Sequence, residues 1–415
     1  MDLVIEGTVY MNGTLKNTSI GIEDGRIVTI GNIVRGGDVK IDLKDKLILP
    51  GAIDPHVHFR DPGLTKKEDF RTGTTAAIHG GVTCVFDMPN TVPPVTDIKR
   101  MKEKKAIIKS KAYTDYGLFS ALTPNTDVTS LAKESVGFKL FMGSTTGEIL
   151  MNDDPAIFRS VKSAASAGKV ISVHAEDNAL IGKDAERSNL DHLKNRPLEA
   201  ELNAIRRLAQ YKGAKINICH ITSEQSAALA SQAGFTTEVT MHHLLFNSSA
   251  EGTEFKVNPP LRDENTREGL FAAFKEGKVS MIGSDHAPHA EDERSEYGTA
   301  PSGIQGIETT MPMMMNLFKK GIVPLETLVR MSSYVPAQTF GLRKGRIEKG
   351  YDADLAVYDL KNVTKVDQNR LHGKNPSAVY EGKEAIFPEM VILRGNIQIE
   401  DGEFCGEALG EDVVG

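Results

Sequence analysis

The middle of the chain alternates between short apolar runs and longer stretches with the spacing of amphipathic helices. Apolar runs of about four to eight residues predict buried strands, and periodic stretches between them predict helices. Eight such units over about 290 residues predict a (β/α)8 TIM barrel over residues 51–344. The candidate strands are Leu47–Ile53, Thr83–Met88, Tyr116–Ala121, Gly137–Phe141, Val170–His174, Lys215–His220, Thr237–Met241 and Val279–Gly283.

An open, doubly wound sheet is the alternative arrangement for the same units. Dinucleotide-binding sheets of that kind carry a Gly-x-Gly-x-x-Gly turn after the first strand, and the sequence has none there. The pattern therefore favours the closed barrel. Two of its helices are predicted from their ends: Pro155–Ala167, which precedes Gly168, and a second that follows Pro197 and runs to about Tyr211.

Both ends of the chain have the pattern of short strands joined by turns. Ser19–Ile30 predicts a hairpin with Asp24 and Gly25 at its tip, and residues 354–359 and 389–400 repeat this style near the other end. We expect one small β-sandwich domain formed from residues 1–50 and 345–415. Two independent β caps are the alternative.

Composition and charge narrow the class of protein. The 415 residues are 40% hydrophobic and 25% charged, as in ordinary globular enzymes, and the net charge of −7 argues against nucleic-acid or membrane partners. The basic run 99–111 has helical spacing and is predicted to be a solvated face. The chain has only three cysteines, lacks the pattern of a signal peptide, and has no apolar run that approaches the roughly 20 residues needed to span a bilayer. These features predict a cytoplasmic protein.

Candidate chemistry begins at the segment 51–63. In an extended chain His56, His58 and Arg60 point to the same side, so two imidazoles could hold one cation beside a fixed positive charge. Thr65 and Glu68 then have the spacing of a capping box that opens a helix.

Further metal-ligand residue types end other predicted strands, and in a barrel these ends meet at one rim. Imidazoles with a carboxylate suit zinc, and the five such ligands fit two ions that need a bridging anion better than one tetrahedral ion. A neutral lysine at this rim could add carbon dioxide to become an anionic carbamate. The residues at the strand ends are His56, His58, Lys139, His174, His220 and Asp285.

These motifs, with the segment 350–358, resemble the amidohydrolase superfamily and within it the longer, monofunctional dihydroorotases. The resemblance implies two zinc ions per subunit bridged by a carbamylated Lys139. His56 and His58 would bind the more buried ion, and His174 and His220 the second. Asp285 would bind the first ion.

A nucleophile and a substrate pocket are also implied. Two ions that share a hydroxide provide a nucleophile at neutral pH, and Asp285 would pass its proton to the leaving nitrogen. A guanidinium offers paired donors to a carboxylate. The resemblance implies that Arg60, Asn90 and His289 hold the free carboxylate of the substrate and that Asn258 faces its pyrimidine ring.

The implied reaction is the reversible cyclisation of N-carbamoyl-L-aspartate to L-dihydroorotate plus water, in pyrimidine biosynthesis. A hydantoinase or allantoinase with the same metal set is one alternative, and a non-catalytic relative that serves as a partner subunit is another. The loop 290–303 is expected to act as a lid. A homodimer fits the family, whereas the native metal and an association with the preceding pathway enzyme stay open.

Five other residues carry expectations that the fold tests. Alternation along a strand predicts that Cys219 lies in the core, facing away from His220, and that His286 faces away from the site. One of His242 and His243 is a possible support for a metal ligand, although a structural role is favoured. His192 shows no signal of function.

Overall fold

The computed structural model describes residues 1–145 and 149–414. Most of its strands belong to two eight-stranded sheets. In chain order the strands are β1 (Leu3–Met11), β2 (Thr14–Glu23), β3 (Arg26–Gly31), β4 (Val39–Pro50), β5 (Ala52–Val57), β6 (Val82–Asp87), β7 (Asp115–Ala121), β8 (Gly137–Phe141), β9 (Val170–His174), β10 (Ile216–Ile218), β11 (Thr236–Val239), β12 (Met281–Ile282), β13 (Leu355–Tyr358), β14 (Thr364–Lys365), β15 (Glu384–Ala385), β16 (Met390–Leu393), β17 (Asn396–Glu400) and β18 (Glu403–Phe404).

Helices connect the strands of the middle region and follow the last of them. They are α1 (Phe70–His79), α2 (Ile98–Ile108), α3 (Val128–Leu131), α4 (Asp154–Ser166), α5 (Asn189–Asn195), α6 (Leu198–Leu208), α7 (Glu224–Gln232), α8 (Met241–Leu245), α9 (Glu264–Lys275), α10 (Ile307–Lys319), α11 (Leu325–Val329) and α12 (Val335–Phe340). A π-helical turn, Arg330–Tyr334, joins the last two. Within the described ranges, no helix is both long and apolar enough to pass through a bilayer.

Strands β5 to β12 form a parallel barrel in sequential order, as predicted. The residues just after β12 close the ring, because His58 N donates to His286 O at 2.8 Å and Ser284 N donates to the Asp54 carboxylate. A sequential parallel order places the carboxyl ends of all eight strands at one rim. The fold class inferred from the hydrophobic pattern is confirmed.

The terminal sheet combines both ends of the chain in the order β18-β17-β16-β13-β4-β1-β2-β3. Leu355 of β13 pairs with Pro50 of β4, so the two ends share one sheet and are not independent caps. The hairpin with Asp24 and Gly25 at its tip is present as β2 and β3. The domain boundaries 50/51 and 344/345 stay predictions.

The first predicted barrel strand was placed too early. Residues 47–50 belong to β4 in the terminal sheet, and the barrel strand β5 begins at Ala52. Gly51 separates the two sheets at a point where a Cβ atom would lie 2.3 Å from Thr83 Oγ1. Because the apolar run continues through Gly51, hydrophobicity alone did not mark the boundary.

Two helix predictions also need correction. Helix α1 begins at Phe70 and is capped by Asp69, which accepts from Arg71 N and Thr72 N, so Glu68 is not part of a capping box. Glu68 is instead fully buried. In the basic run, Lys104 of α2 is also buried, so the run is not wholly a solvated face.

Candidate active site

The carboxyl rim of the barrel brings together nine of the ten predicted site residues around one pocket. The tenth, His289, lies beside the pocket, with its Nε2 atom 3.2 Å from Arg60 Nη2. The nine lining residues are His56, His58, Arg60, Asn90, Lys139, His174, His220, Asn258 and Asp285.

A first ligand group consists of His56, His58 and Asp285, all buried. Asp285 Oδ1 lies 3.4 Å from His56 Nε2 and 3.1 Å from His58 Nε2. The opposite ring nitrogens are occupied, since His56 Nδ1 lies 2.9 Å from Glu238 Oε2 and His58 Nδ1 lies 2.7 Å from Asn90 Oδ1. Such outer partners fix ring orientation and leave both Nε2 atoms directed at the same point.

A second group lies beside the first. His174 Nδ1 is 3.2 Å from His220 Nε2, and the other nitrogen of His174 is 2.7 Å from Glu176 Oε2. The His56 and His220 ring centroids are 5.3 Å apart, so the two groups are adjacent. Lys139 Nζ lies 3.4 Å from His56 Nε2, within the same pocket.

The charge state of these groups suits cation binding. Burial lowers the pKa of His56 to about 3 and that of His58 to about 4, so both rings are neutral at pH 7. Although burial acts in the opposite direction, His56 and His58 hold the pKa of Asp285 well below its usual value. Neutral imidazoles beside a carboxylate are typical zinc ligands. Among the described residues, His220 Nδ1 has no hydrogen-bond partner. The residues present therefore fit divalent cations.

Unusual backbone conformation directs several of these side chains. Arg60, His220 and Asp285 have φ values of 62°, 38° and 45°, in the left-handed region that non-glycine residues rarely occupy. Each lies after the end of its strand. Strain of this kind concentrates at functional sites, where the surrounding structure holds it in place.

A family model described as "Amidohydrolase family" matches residues 47–397, which include every one of these side chains. The chain belongs to the amidohydrolase family.

Curated relatives of this amidohydrolase extend over its whole length. The protein named dihydroorotase from Thermoplasma volcanium is 37% identical over 423 residues, covering 100% of this chain and 98% of the relative. That from Pyrococcus abyssi is 37% identical over 421 residues, covering 100% and 99%. The resemblance to dihydroorotases stated from the motifs is confirmed.

Solved structures of similar shape include hydantoinases. The L-hydantoinase (dihydropyrimidinase) of Arthrobacter aurescens superposes with a TM-score of 0.94 at 26% identity, covering 99% of each chain. A D-hydantoinase (dihydropyrimidinase) of Thermus sp. superposes with a TM-score of 0.89 at 25% identity, covering 99% of this chain and 98% of that one. The terminal sheet and the barrel are thus both shared with these amidohydrolases.

Arg60 is a charged residue of the pocket that is almost fully buried. It is 2% exposed, and its Nε donates to Pro288 O at 3.2 Å. Burial lowers its pKa to about 10, which keeps the guanidinium charged at neutral pH. A buried cation at the rim of the amidohydrolase barrel can pair with an anionic part of a ligand.

Sequence reasoning missed two acidic side chains that contact predicted metal ligands. Glu238 lies inside the otherwise uncharged strand β11 and contacts His56, and burial raises its pKa to about 8. Glu176 contacts His174 and pairs with the buried guanidinium of Arg196. A carboxylate in a buried strand was the available signal for Glu238. For Glu176 the only signal in the sequence was its position two residues after His174.

The prediction that Cys219 is buried is confirmed, but the predicted direction of its side chain is wrong. Its Sγ atom lies 3.0 Å from Lys139 Nζ, a predicted site residue. Strand β10 ends at Ile218 and His220 has a positive φ, so regular alternation stops before Cys219. Periodicity predicts side-chain direction only while the strand continues.

The other histidine expectations have mixed outcomes. His286 packs edge-on against Phe59, away from the pocket, as expected. His242 and His243 lie in α8 and are buried, but neither lines the pocket. His192 is 3% exposed and contacts Asn258, so the view that it carries no functional signal was incomplete.

Proposed function

We propose that the protein is a dihydroorotase, which interconverts N-carbamoyl-L-aspartate and L-dihydroorotate plus water. The observation that carries this proposal is Arg60, a buried guanidinium at the rim beside the metal-ligand groups. Dihydroorotate carries a free carboxylate next to its cyclic amide, whereas hydantoin carries none. The dihydroorotases that match the full chain favour the same substrate.

Two zinc ions would be held by the two ligand groups. His56, His58 and Asp285 would bind one, and His174 and His220 the other, with Lys139 between them as a carbamate. Zinc bound there supplies a Lewis acid for the amide carbonyl and lowers the pKa of water. The buried, neutral imidazoles favour cation binding because no ring proton needs to be displaced at pH 7.

Asp285 is the residue that would move the proton. It is a buried carboxylate whose Oδ1 faces His58 Nε2, and its lowered pKa keeps it ionised and ready to accept a proton from the attacking water. In the direction of ring opening it would deliver that proton to the leaving ring nitrogen. In the reverse direction the same carboxylate would remove it.

Arg60, Asn90 and His289 would hold the carboxylate of the substrate. The rim holds Arg60 in place through its bonds to Pro288 O and His289, so little side-chain entropy is lost on binding. Asn258, on the same pocket, would face the ring. The proposal includes a cytoplasmic enzyme and a homodimer, with residues 290–303 as the lid.

The test compares ring opening of dihydroorotate, hydantoin and allantoin by purified protein of measured zinc content. We expect dihydroorotate to be the preferred substrate, with two zinc ions per chain. Arg60→Met should lower kcat/KM for dihydroorotate by about 100-fold or more, because the substrate carboxylate is left unpaired. Arg159→Met, an exposed arginine on α4, is the matched control and should have no effect.

A hydantoinase is the second candidate, favoured by the similarity to the two hydantoinase structures. Rapid opening of hydantoin by a protein that leaves dihydroorotate intact would establish that candidate. A metal-free protein that opens none of the three rings would favour a partner subunit without catalysis.

A further inference from the structure

We propose that His192 is a positioning residue that fixes the amide of Asn258, so that the site presents an N–H donor to a carbonyl oxygen of the cyclic substrate. This inference rests on the proposed function for the identity of the substrate. It concerns a residue outside the pocket, which acts only through Asn258.

His192 lies behind the pocket on the short helix α5 and is almost fully buried. Its Nε2 atom is 3.0 Å from Val257 O and 2.8 Å from Asn258 Oδ1. A backbone carbonyl only accepts hydrogen bonds, so Nε2 must carry a hydrogen. The same N–H group therefore faces Asn258 Oδ1, and Oδ1 is the accepting atom of that amide.

Glu186 holds the ring in this orientation. Its Oε1 lies 2.9 Å from His192 Nδ1 and also accepts from Asn195 Nδ2 at 2.9 Å, and Lys256 Nζ lies 3.0 Å from Oε2. Although burial opposes it, the hydrogen bonds from His192 and Asn195 lower the pKa of Glu186, so it is a carboxylate. With both ring nitrogens bonded to fixed partners, His192 cannot turn without losing them.

The contact with His192 fixes the orientation of the Asn258 amide group. If the Asn258 amide were flipped, its NH2 group would face the Nε2 hydrogen of His192, so two donors would oppose each other and the ring hydrogen would keep only Val257 O as its acceptor. The NH2 group is therefore the part of Asn258 available to a ligand. A substrate must offer an acceptor there, such as the oxygen of a cyclic ureide, and a group that donates is disfavoured.

The experiment separates positioning from a merely structural role. His192→Ala should raise KM for dihydroorotate about 10- to 100-fold with kcat within about threefold, because ground-state and transition-state binding are lost equally. His192→Gln keeps an N–H donor and should recover most of the loss. Since His192 acts through Asn258, the double variant with Asn258→Ala should be no worse than Asn258→Ala alone.

His243→Gln is the matched control. His243 is also buried, and its Nε2 faces Pro259 O at 2.9 Å, one residue beyond Asn258, but it does not contact the Asn258 amide. Its KM should stay within about twofold of the wild type. An additive double variant, an equal rise of KM in the control or no recovery with glutamine would overturn the proposal.

Two further readouts keep this test separate from the proposed function. If the wild type opens hydantoin but not dihydroorotate, the proposed function fails and the same KM comparison is made with hydantoin. Independently of activity, crystal structures should show one Asn258 side-chain conformation in the wild type and several in His192→Ala. A single unchanged conformation in both would refute the role of His192.

Discussion

A buried ion pair stabilises the backbone at the carboxyl rim of the barrel. Lys104 Nζ donates to Asp87 and also lies 3.3 Å from Met88 O, and both charged side chains are almost fully excluded from solvent. Asp87 Oδ1 accepts from Phe59 N at 2.7 Å. Because Phe59 stands between His58 and Arg60, this pair holds the backbone that carries a predicted metal ligand and the proposed carboxylate-binding residue.

Removing the lysine charge should therefore be costly. We expect Lys104→Met to lower the free energy of unfolding by about 3–5 kcal/mol, since an unpaired buried carboxylate remains. Lys102→Met, an exposed lysine on the same helix, should change it by less than about 0.5 kcal/mol. Urea unfolding of the two variants measures the difference, and equal losses would contradict this account of the pair.

At the scale of single residues, the sequence predicted which residues line the site better than it predicted the directions of side chains. Five of the six predicted metal-ligand residues lie at or just after strand ends, with Lys139 inside β8, and a closed parallel barrel collects such ends at one rim. The direction of the Cys219 side chain was predicted wrongly because the neighbouring residue with positive φ, His220, interrupts the regular alternation of the strand. The contact of Glu238 with His56 joins residues that are far apart in sequence, which local patterns do not encode.

At the scale of elements, two loops of the rim pack tightly against each other. Gly63 follows β5 with φ of 90°, and a Cβ atom there would lie 2.0 Å from Val92 O, in the loop after β6. Val92 N donates to Pro62 O at 3.1 Å. These loops carry Arg60 and Asn90, so their spacing determines the shape of the proposed carboxylate-binding site.

Gly63→Ala should disturb both stability and substrate binding. The left-handed conformation alone costs an alanine about 1–2 kcal/mol, and displacement of the Val92 carbonyl adds to it. Gly168→Ala is the control, because Gly168 has φ of 70° with open space around it. We expect a raised KM for dihydroorotate only in Gly63→Ala, and equal KM values in the two variants would refute the coupling of the loops.

The elements themselves were largely predictable from periodicity. Strand β8 was predicted with its observed limits, and α4 within one residue of them, because apolar period and flanking glycine or proline coincide there. The division between β4 and β5 was not predictable from periodicity, since Leu47, Ile48 and Leu49 are all buried. Ile48 packs into the terminal sheet, whereas its two neighbours pack on the barrel, and only the folded structure distinguishes these faces.

At the scale of the whole molecule, burial of many titratable groups makes stability depend on pH. Seven histidines have a pKa below the value of about 6.5 expected in the unfolded chain. Two are predicted metal ligands, His56 and His58, with folded pKa values of about 3 and 4, and the same burial acts on residues far from the site, such as His79. The seven are His56, His58, His79, His220, His242, His243 and His289.

Carboxyl groups act in the opposite direction. Burial raises the pKa of Asp54 to about 7 and of Glu238 to about 8, and raises those of Glu308 and Asp354 as well. Stabilisation from these groups is present below about pH 4 and is lost as the pH rises through their folded pKa values. Stabilisation from the histidines is present above about pH 6.5 and is lost as the pH falls towards 3.

The balance predicts a maximum in stability near pH 6.5 for the metal-free protein. Between about pH 4 and 6.5 the seven histidines outweigh the four carboxyl groups, so unfolding takes up protons and acid destabilises the fold. Above about pH 6.5 the buried carboxyl groups with raised pKa values dominate, and stability declines again. Thermal unfolding of chelator-treated protein from pH 4.5 to 8.5 measures this curve.

His79→Gln removes one buried ring that lies far from the predicted metal site. It should reduce the slope of stability against pH between pH 4.5 and 6.5 by about one proton. Stability that rises from pH 6.5 down to 4.5 would show that the buried rings are not neutral.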